Sequence, residues 1–227
     1  MDIDREGMDP GTRSGRGMTS RQRPLGLAVG ASAALAALAL LFLAMYVVTA
    51  RGLPVEILVR DPAAMFGFWP FAGIVAQAGI FALCAAGVTC LLAAAHSGRD
   101  RALLRTVGVY SLVLAIDDFY MIHDERLPAL GIPEAATYSA YLAAGLFVAC
   151  YWRRQLFAAR HAALFVAAAL LVLSVLVDVS LPYSQPQLIV EDGLKLAGIV
   201  VWSVYWIARG GEAVRSGTAA VTPSRTP

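Results

Sequence analysis

The chain has 227 residues, of which 59% are hydrophobic and only 15% are charged, and its mean hydropathy is +0.66. Soluble globular proteins carry about 25% charged residues, so this composition excludes an ordinary soluble domain. The net charge is only +2, and no basic patch with interleaved aromatic residues occurs, so nothing indicates nucleic-acid binding. The composition predicts a membrane protein whose partner is the lipid bilayer.

Six apolar segments are candidates for crossing about 30 Å of hydrocarbon. They run over Pro24–Ala50, Pro70–Ala95, Leu103–Ile122, Ala136–Tyr151, Ala162–Leu181 and Leu188–Ala208. We therefore predict an all-α fold, a polytopic transmembrane six-helix bundle, in a membrane domain of residues 24–208. The segments 1–23 and 209–227 lack apolar periodicity and are predicted to be disordered cytoplasmic tails.

The arginines are concentrated on one side of the predicted spans. They precede the first span and follow the second, fourth and sixth, whereas only Arg51, Arg60 and Arg126 lie on the other side. By the positive-inside rule both termini are cytoplasmic, and an even number of spans agrees with this. The sequence thus predicts a multi-pass protein of the cytoplasmic (inner) membrane of a bacterium.

Ionisable residues interrupt three of the predicted spans close to their outer ends. At about 1.5 Å per residue, Asp117 and Asp118 lie roughly 18–20 Å above Arg105 at the inner end of the third span. Similar heights, about 21–27 Å, are reached in the last two spans by Asp178, Glu191, Asp192 and Lys195. Because charges at such depth cost a few kcal/mol and usually face the interior of a bundle, we expect these residues to share one site.

Lys195 is the one lysine among the eighteen Lys and Arg residues. Its compact ammonium is suited to pairing with Asp117 or Asp118, which would lock two spans together. The second interpretation is a functional site, with Lys195 and Asp117 as catalytic residues and a divalent metal ion bound by Asp118, His123, Glu191 and Asp192. Oxygen ligands with one imidazole favour Mg²⁺, Mn²⁺, Ca²⁺ or iron.

The direction of His123 limits the metal hypothesis. On a straight helix Asp117, Asp118, Asp124 and Glu125 share one face, and His123 points away from it. Either the helix loosens after Tyr120, or His123 serves a different neighbour.

We also make predictions for two residues outside this region. Gly198 is small enough to let another helix approach the sixth span closely. His161 lies at a cytoplasmic helix end and is predicted to be an interfacial residue.

Two segments, DDFYMIHDE at 117–125 and EDGLKLAGIVVW at 191–202, resemble a pattern of uncharacterised bacterial six-helix membrane proteins. In that pattern D-D-x-x-x-x-H-[DE] ends one span and [ED]-[ED]-G-x-K begins the last. The resemblance covers spans three to six and implies a shared site but no known activity. The matching positions are Asp117, Asp118, His123, Asp124, Glu191, Asp192 and Lys195. The chain is similar to intramembrane ceramidases and progestin-receptor-like hydrolases only in mixing Asp and His within helices, and it lacks their S-x-x-x-H and H-x-x-x-H elements.

Three functions are compatible with these residues. The first is a divalent-metal-dependent membrane enzyme that acts on a lipid or another amphiphile at an outward-facing site. The second is a non-catalytic membrane subunit with a structural Asp–Lys cluster. The third is a proton- or cation-coupled carrier, although internal repeats and broken helices are not evident.

Overall fold

The computed structural model describes residues 25–60, 65–69, 71–98, 100–156, 161–182 and 184–219. All regular secondary structure in these ranges is helical, which confirms the predicted all-α class. The long helices are α1 (Leu25–Ala50), α2 (Ile74–His96), α3 (Arg101–Tyr120), α4 (Glu134–Tyr151), α5 (Ala162–Ser180) and α6 (Gln185–Ala219). Each overlaps one predicted span, and α6 continues past the predicted end at Ala208. The predicted tail at 1–23 and residues 220–227 lie outside the described residues.

Two helices, α2 and α5, are long and apolar enough to cross a membrane, with mean hydropathies of 2.2 and 2.6. The helix α1 contributes a further apolar stretch, Ala34–Ala50. Charged side chains reduce the apolar length of α3, which contains Arg105, Asp117 and Asp118. By length and composition the described residues therefore provide two candidate spans.

The chain forms two compact units, residues 1–70 and 71–227. The first contains α1 and a short helix at Glu56–Val59. In the second, α6 packs against both α2 and α5, α2 packs against α3, and α4 makes fewer contacts, with α3 and the turn that follows it. The helix α6 is therefore the central element of the second unit.

Glycines allow the helices of this unit to pack backbone against backbone. A Cβ atom on Gly108 of α3 would lie 2.9 Å from the carbonyl oxygen of Gly87 in α2 and 2.8 Å from Leu91 Cγ. A Cβ atom on Gly198 of α6 would lie 2.8 Å from Leu171 Cγ in α5. Such distances are too short for real atoms, so both contacts require glycine. The close approach predicted at Gly198 is confirmed.

A polar chain joins α5, α6 and the α2–α3 connection at the end of the unit that contains Arg209. Arg209 donates hydrogen bonds to Asp100 Oδ2 at 3.3 Å and to the Tyr205 hydroxyl at 3.1 Å. The Tyr205 hydroxyl lies 2.6 Å from Nδ1 of His161. His161 is only 6% exposed, so it is a buried residue of this chain and not the interfacial residue predicted from its position.

We predict that Gly108→Ala destabilises the protein, because its new methyl group would collide with the backbone of α2. Overpacking of this kind typically lowers the free energy of unfolding by about 1–3 kcal/mol. Thermal unfolding of the detergent-purified protein measures the change. Gly193→Ala is the matched control, because a Cβ atom there meets nothing within 4 Å and alanine favours a helix by about 1 kcal/mol. Equal melting temperatures for both variants would contradict the proposed close contact.

Candidate functional site

The helix α3 ends in a sharp change of backbone direction at Met121. Met121 has a φ of 49° in the left-handed region, which is uncommon for any residue other than glycine. Residues Ile122–Arg126 then form a π-helical turn, a conformation often found at functional sites. The helix therefore loosens after Tyr120, which is one of the two alternatives expected from the sequence. This break turns His123 back towards Asp117.

Asp117, His123 and Asp124 form a continuous hydrogen-bonded chain. The backbone N–H of His123 donates to Asp117 Oδ1 at 3.1 Å, and its ring Nδ1 contacts Asp117 Oδ2. Its other ring nitrogen, Nε2, lies 2.9 Å from Asp124 Oδ1. Asp117 is 3% exposed and His123 4%. The imidazole is thus buried and fixed in orientation by a carboxylate on each side.

The two carboxylates change the protonation of this imidazole. Burial opposes the charged form of His123, but the hydrogen bond and charge of Asp124, with the charge of Asp117, outweigh burial and raise the pKa of His123. In the opposite direction, the hydrogen bond with His123 lowers the pKa of Asp124. The two carboxylates thus stabilise the charged form of the imidazole.

His123, Asp124 and Glu134 could together hold a metal ion. One ligand atom from each residue lies within 4.8 Å of the others, which suits a cation bound at about 2.0–2.6 Å from each ligand. Nδ1 of His123 is engaged by Asp117, so Nε2 is the nitrogen available to a cation. A carboxylate on the second nitrogen is the usual support of a metal-binding histidine. The chemistry of this donor set therefore fits a divalent cation.

Tyr138 connects the candidate ligands with α5. Its hydroxyl lies 2.7 Å from Glu134 Oε1 and 3.2 Å from Asp178 Oδ2. Its ring lies 5.4 Å from the His123 ring, centroid to centroid. Glu134 and Tyr138 are one helical turn apart at the start of α4, so the hydroxyl can orient the Glu134 carboxylate. Tyr138 thereby holds α4, the π-helical turn and α5 around one group of acids.

Lys195 of α6 donates a hydrogen bond to Asp118 Oδ1 of α3 at 2.7 Å. The Asp118 side chain is 12% exposed, and about a third of the Lys195 side chain is exposed. The ion pair joins α3 and α6, and the charge of Lys195 also acts on His123 and Asp124. The charge of Lys195 therefore influences the candidate ligand group.

The remaining predicted residues lie on α6 beside Lys195. Glu191 accepts a hydrogen bond from Gln187 Nε2 at 2.7 Å, and Asp192 is exposed. In the described part of the chain, the ligand group contains His123 but not Asp118, Glu191 or Asp192. The predicted residues thus fall into three groups. These are the Asp117–His123–Asp124 chain, the Asp118–Lys195 pair, and Glu191 and Asp192 on α6.

The sequence analysis did not identify Glu134 as a site residue. Glu134 begins α4, directly after the turn at Gly131 and Pro133. An acid in the first turn of a helix is common, because it complements the helix dipole. One indication was present in the sequence. The connection between His123 and Glu134 is short, so both residues lie at the same end of the unit.

We expect the Asp118–Lys195 pair to show strong coupling in a double-mutant cycle. Asp118→Leu and Lys195→Leu should each lower the free energy of unfolding by about 1–3 kcal/mol, because each leaves a charge without its partner. The double variant should recover most of the loss. Chemical unfolding of the four proteins in detergent measures the coupling, and simply additive losses would contradict a direct pair.

The chain matches a family model described as Domain of unknown function (DUF8692) over residues 32–208. The matched range extends from α1 into α6 and includes every candidate site residue. No curated protein and no solved structure matches the chain. The chain therefore belongs to the DUF8692 family of domains of unknown function.

Proposed function

We propose that the protein is a multi-pass membrane protein that binds a divalent cation at the outer end of its helices and uses it to act on a lipid or another amphiphile. The apolar surface supports membrane insertion. Large side chains such as Phe81 (73% exposed), Leu92 (60%), Leu176 (53%) and Val179 (67%) are exposed on α2 and α5. Large apolar side chains exposed along two helices suit contact with lipid chains.

The orientation proposed for the protein follows the arginine pattern. Six spans with both termini in the cytoplasm would place the π-helical turn and the start of α4 on the outer side of a bacterial inner membrane. The Asp100–Arg209 pair would then lie near the inner side. Between them α6 runs for about 21 Å from Lys195 to Arg209, which suits the interior of a bilayer.

The observation that carries the proposal is the ligand group of His123, Asp124 and Glu134 with Asp117 behind the imidazole. Two carboxylates and one imidazole favour Mg²⁺, Mn²⁺, Ca²⁺ or iron over a thiolate-type zinc site. A cation bound there would supply Lewis acidity to a carbonyl or phosphoryl oxygen of the substrate.

The surrounding side chains position the ligands and balance their charge. Asp117 holds the imidazole with Nε2 towards Asp124, and Tyr138 orients Glu134. Lys195 contributes a fixed positive charge whose field reaches Asp124, so it can stabilise negative charge that develops on a substrate. Asp118 holds that ammonium in place.

A second candidate function is a structural one, a non-catalytic membrane subunit. The 2.7 Å contact between Lys195 and Asp118 favours it, because such a pair is sufficient to join α3 with α6. The two candidates differ in whether the purified protein binds a metal ion.

We predict about one divalent cation per chain in protein purified without chelators. His123→Ala and Glu134→Gln should each remove a ligand and abolish stoichiometric binding, and Asp117→Asn should weaken it by about 10–100-fold. Mass-spectrometric elemental analysis and titration with Mn²⁺ measure both quantities. Glu125→Gln is the control, since Glu125 is a neighbouring exposed acid outside the ligand group. Unchanged metal content in the Glu134→Gln variant would contradict this ligand set.

Metal affinity should rise with pH over the titration of His123. A cation and a proton compete for Nε2, and the pKa of His123 lies above its ordinary value. Affinity should therefore be lost as the pH falls through that raised pKa. Calorimetric titration with Mn²⁺ between about pH 5 and pH 8 measures the slope. A His123→Asn variant with the same slope as the unmodified protein would show that another group controls binding.

A further inference from the structure

A cavity of about 320 Å³ lies at the point where α4 ends. It is lined by the six consecutive residues 150–155, and two of these are Arg153 and Arg154. The helix α4 ends at Tyr151, and the chain then forms a short helix at Arg153–Leu156. Both arginines are exposed. The wall of this cavity, which we call the arginine cavity, therefore contains two positive charges at the protein surface.

The arginine cavity is attached to the core of the second unit. Leu156 is 5% exposed and shares a buried cluster with Trp206 of α6, one turn before Arg209. Trp152 packs against the same cluster, and its carbonyl oxygen accepts a hydrogen bond from the N–H of Leu156 at 3.1 Å. The cavity thus lies at the Arg209 end of the unit. Its arginines lie between two side chains that contact the core, so their backbone positions are defined.

The charges of the two arginines are not balanced by the protein. In the described part of the chain, Arg153 and Arg154 have no carboxylate at ion-pairing distance. Other arginines at this end have internal partners: Arg209 is paired with Asp100, and Arg101 donates to a main-chain carbonyl oxygen. The two positive charges of the cavity are therefore available to an anion from outside these residues.

Aromatic side chains beside the cavity indicate that the anion is attached to apolar chains. Tyr151 is 69% exposed, and its ring lies 4.5 Å from the ring of Trp152 and 5.8 Å from that of Phe147, centroid to centroid. Phe147, one helical turn before Tyr151, is 62% exposed. Tyrosine and tryptophan are enriched at the level of lipid headgroups. The surface thus combines guanidinium groups with exposed aromatic rings.

We propose that the arginine cavity binds the headgroup of an anionic phospholipid in the inner leaflet. A guanidinium donates paired hydrogen bonds to phosphate oxygens, and basic pockets on the cytoplasmic side of membrane proteins bind anionic headgroups. The acyl chains would lie along the rings of Tyr151 and Phe147. This inference rests on the membrane insertion and orientation of the proposed function, and it does not depend on the metal ion.

The test compares two phospholipids with identical acyl chains, phosphatidylglycerol and phosphatidylcholine. Native mass spectrometry of the detergent-purified full chain measures their dissociation constants. Each arginine near a membrane surface contributes about a fivefold gain in affinity for an anionic lipid. Phosphatidylglycerol should therefore bind at least about tenfold more tightly, because the choline group cancels the phosphate charge of the other lipid.

Inorganic phosphate distinguishes a lipid headgroup from a free anion as the ligand. It offers the same acceptor oxygens without acyl chains, so millimolar phosphate should leave phosphatidylglycerol bound. Complete displacement of the lipid by phosphate would assign the cavity to a soluble anion and overturn the proposal.

Two double variants make the test specific for this cavity. Arg153→Gln with Arg154→Gln removes both charges and should lower the affinity for phosphatidylglycerol to that for phosphatidylcholine. Arg51→Gln with Arg60→Gln is the matched control, because it removes two exposed arginines elsewhere in the chain and should leave the preference unchanged. Melting temperatures establish that both variants are folded. An equal loss of the preference in both would show a general effect of charge and refute the site.

Metal content measured on the same samples separates this inference from the proposed function. If the preference for phosphatidylglycerol depends on Arg153 and Arg154 but no stoichiometric metal ion is bound, the lipid site is supported and the proposed metal site fails. If a metal ion is bound and the two lipids bind equally, the lipid site is refuted and the metal site remains.

Discussion

The arrangement of the polar region depends on the change of backbone direction at Met121. A regular helix would carry His123 about 120° around the helix axis from Asp117. The left-handed residue and the π-helical turn bring the imidazole back, so that Asp117 binds both its backbone N–H and its ring. The conformation is unfavourable by itself, and the buried hydrogen bonds stabilise it. The same turn places Asp124 near Glu134.

Close packing around α6 supports this region. The glycine contact at Gly198 brings α5 against α6, and the Gly87–Gly108 contact brings α2 against α3. Helices that approach so closely leave little freedom for their polar ends. In the described residues, the ion pairs of this region have Lys195 and the His123 imidazole as their positive partners. The excess of carboxylates is the physical reason to expect cations there.

Several parts of this picture could be predicted from residue patterns. The hydropathy pattern predicts most ends of the long helices to within a few residues, because apolar length is a local property. The C-terminal end of α6 was wrong, since the helix continues from Ala208 to Ala219 through a polar stretch that was predicted to be disordered. The Asp118–Lys195 contact could be anticipated, since a single lysine at the depth of two aspartates has few other partners. Glu134 could not, because an acid in the first helical turn has a common local explanation. The burial of Gln187 could not be predicted either, because it depends on how the helices pack.

The sequence by itself determined the helical class, the approximate ends of the helices and the set of ionisable residues near one end. These follow from apolar length, helix rise and the energetic cost of buried charge. Only the tertiary structure decided that His123 turns towards Asp117, that Glu134 joins His123 and Asp124, and that Tyr138 joins Glu134 to Asp178. The reason is that these contacts depend on a single backbone dihedral at Met121 and on the distances between helices. Residue spacing along the chain does not encode either quantity.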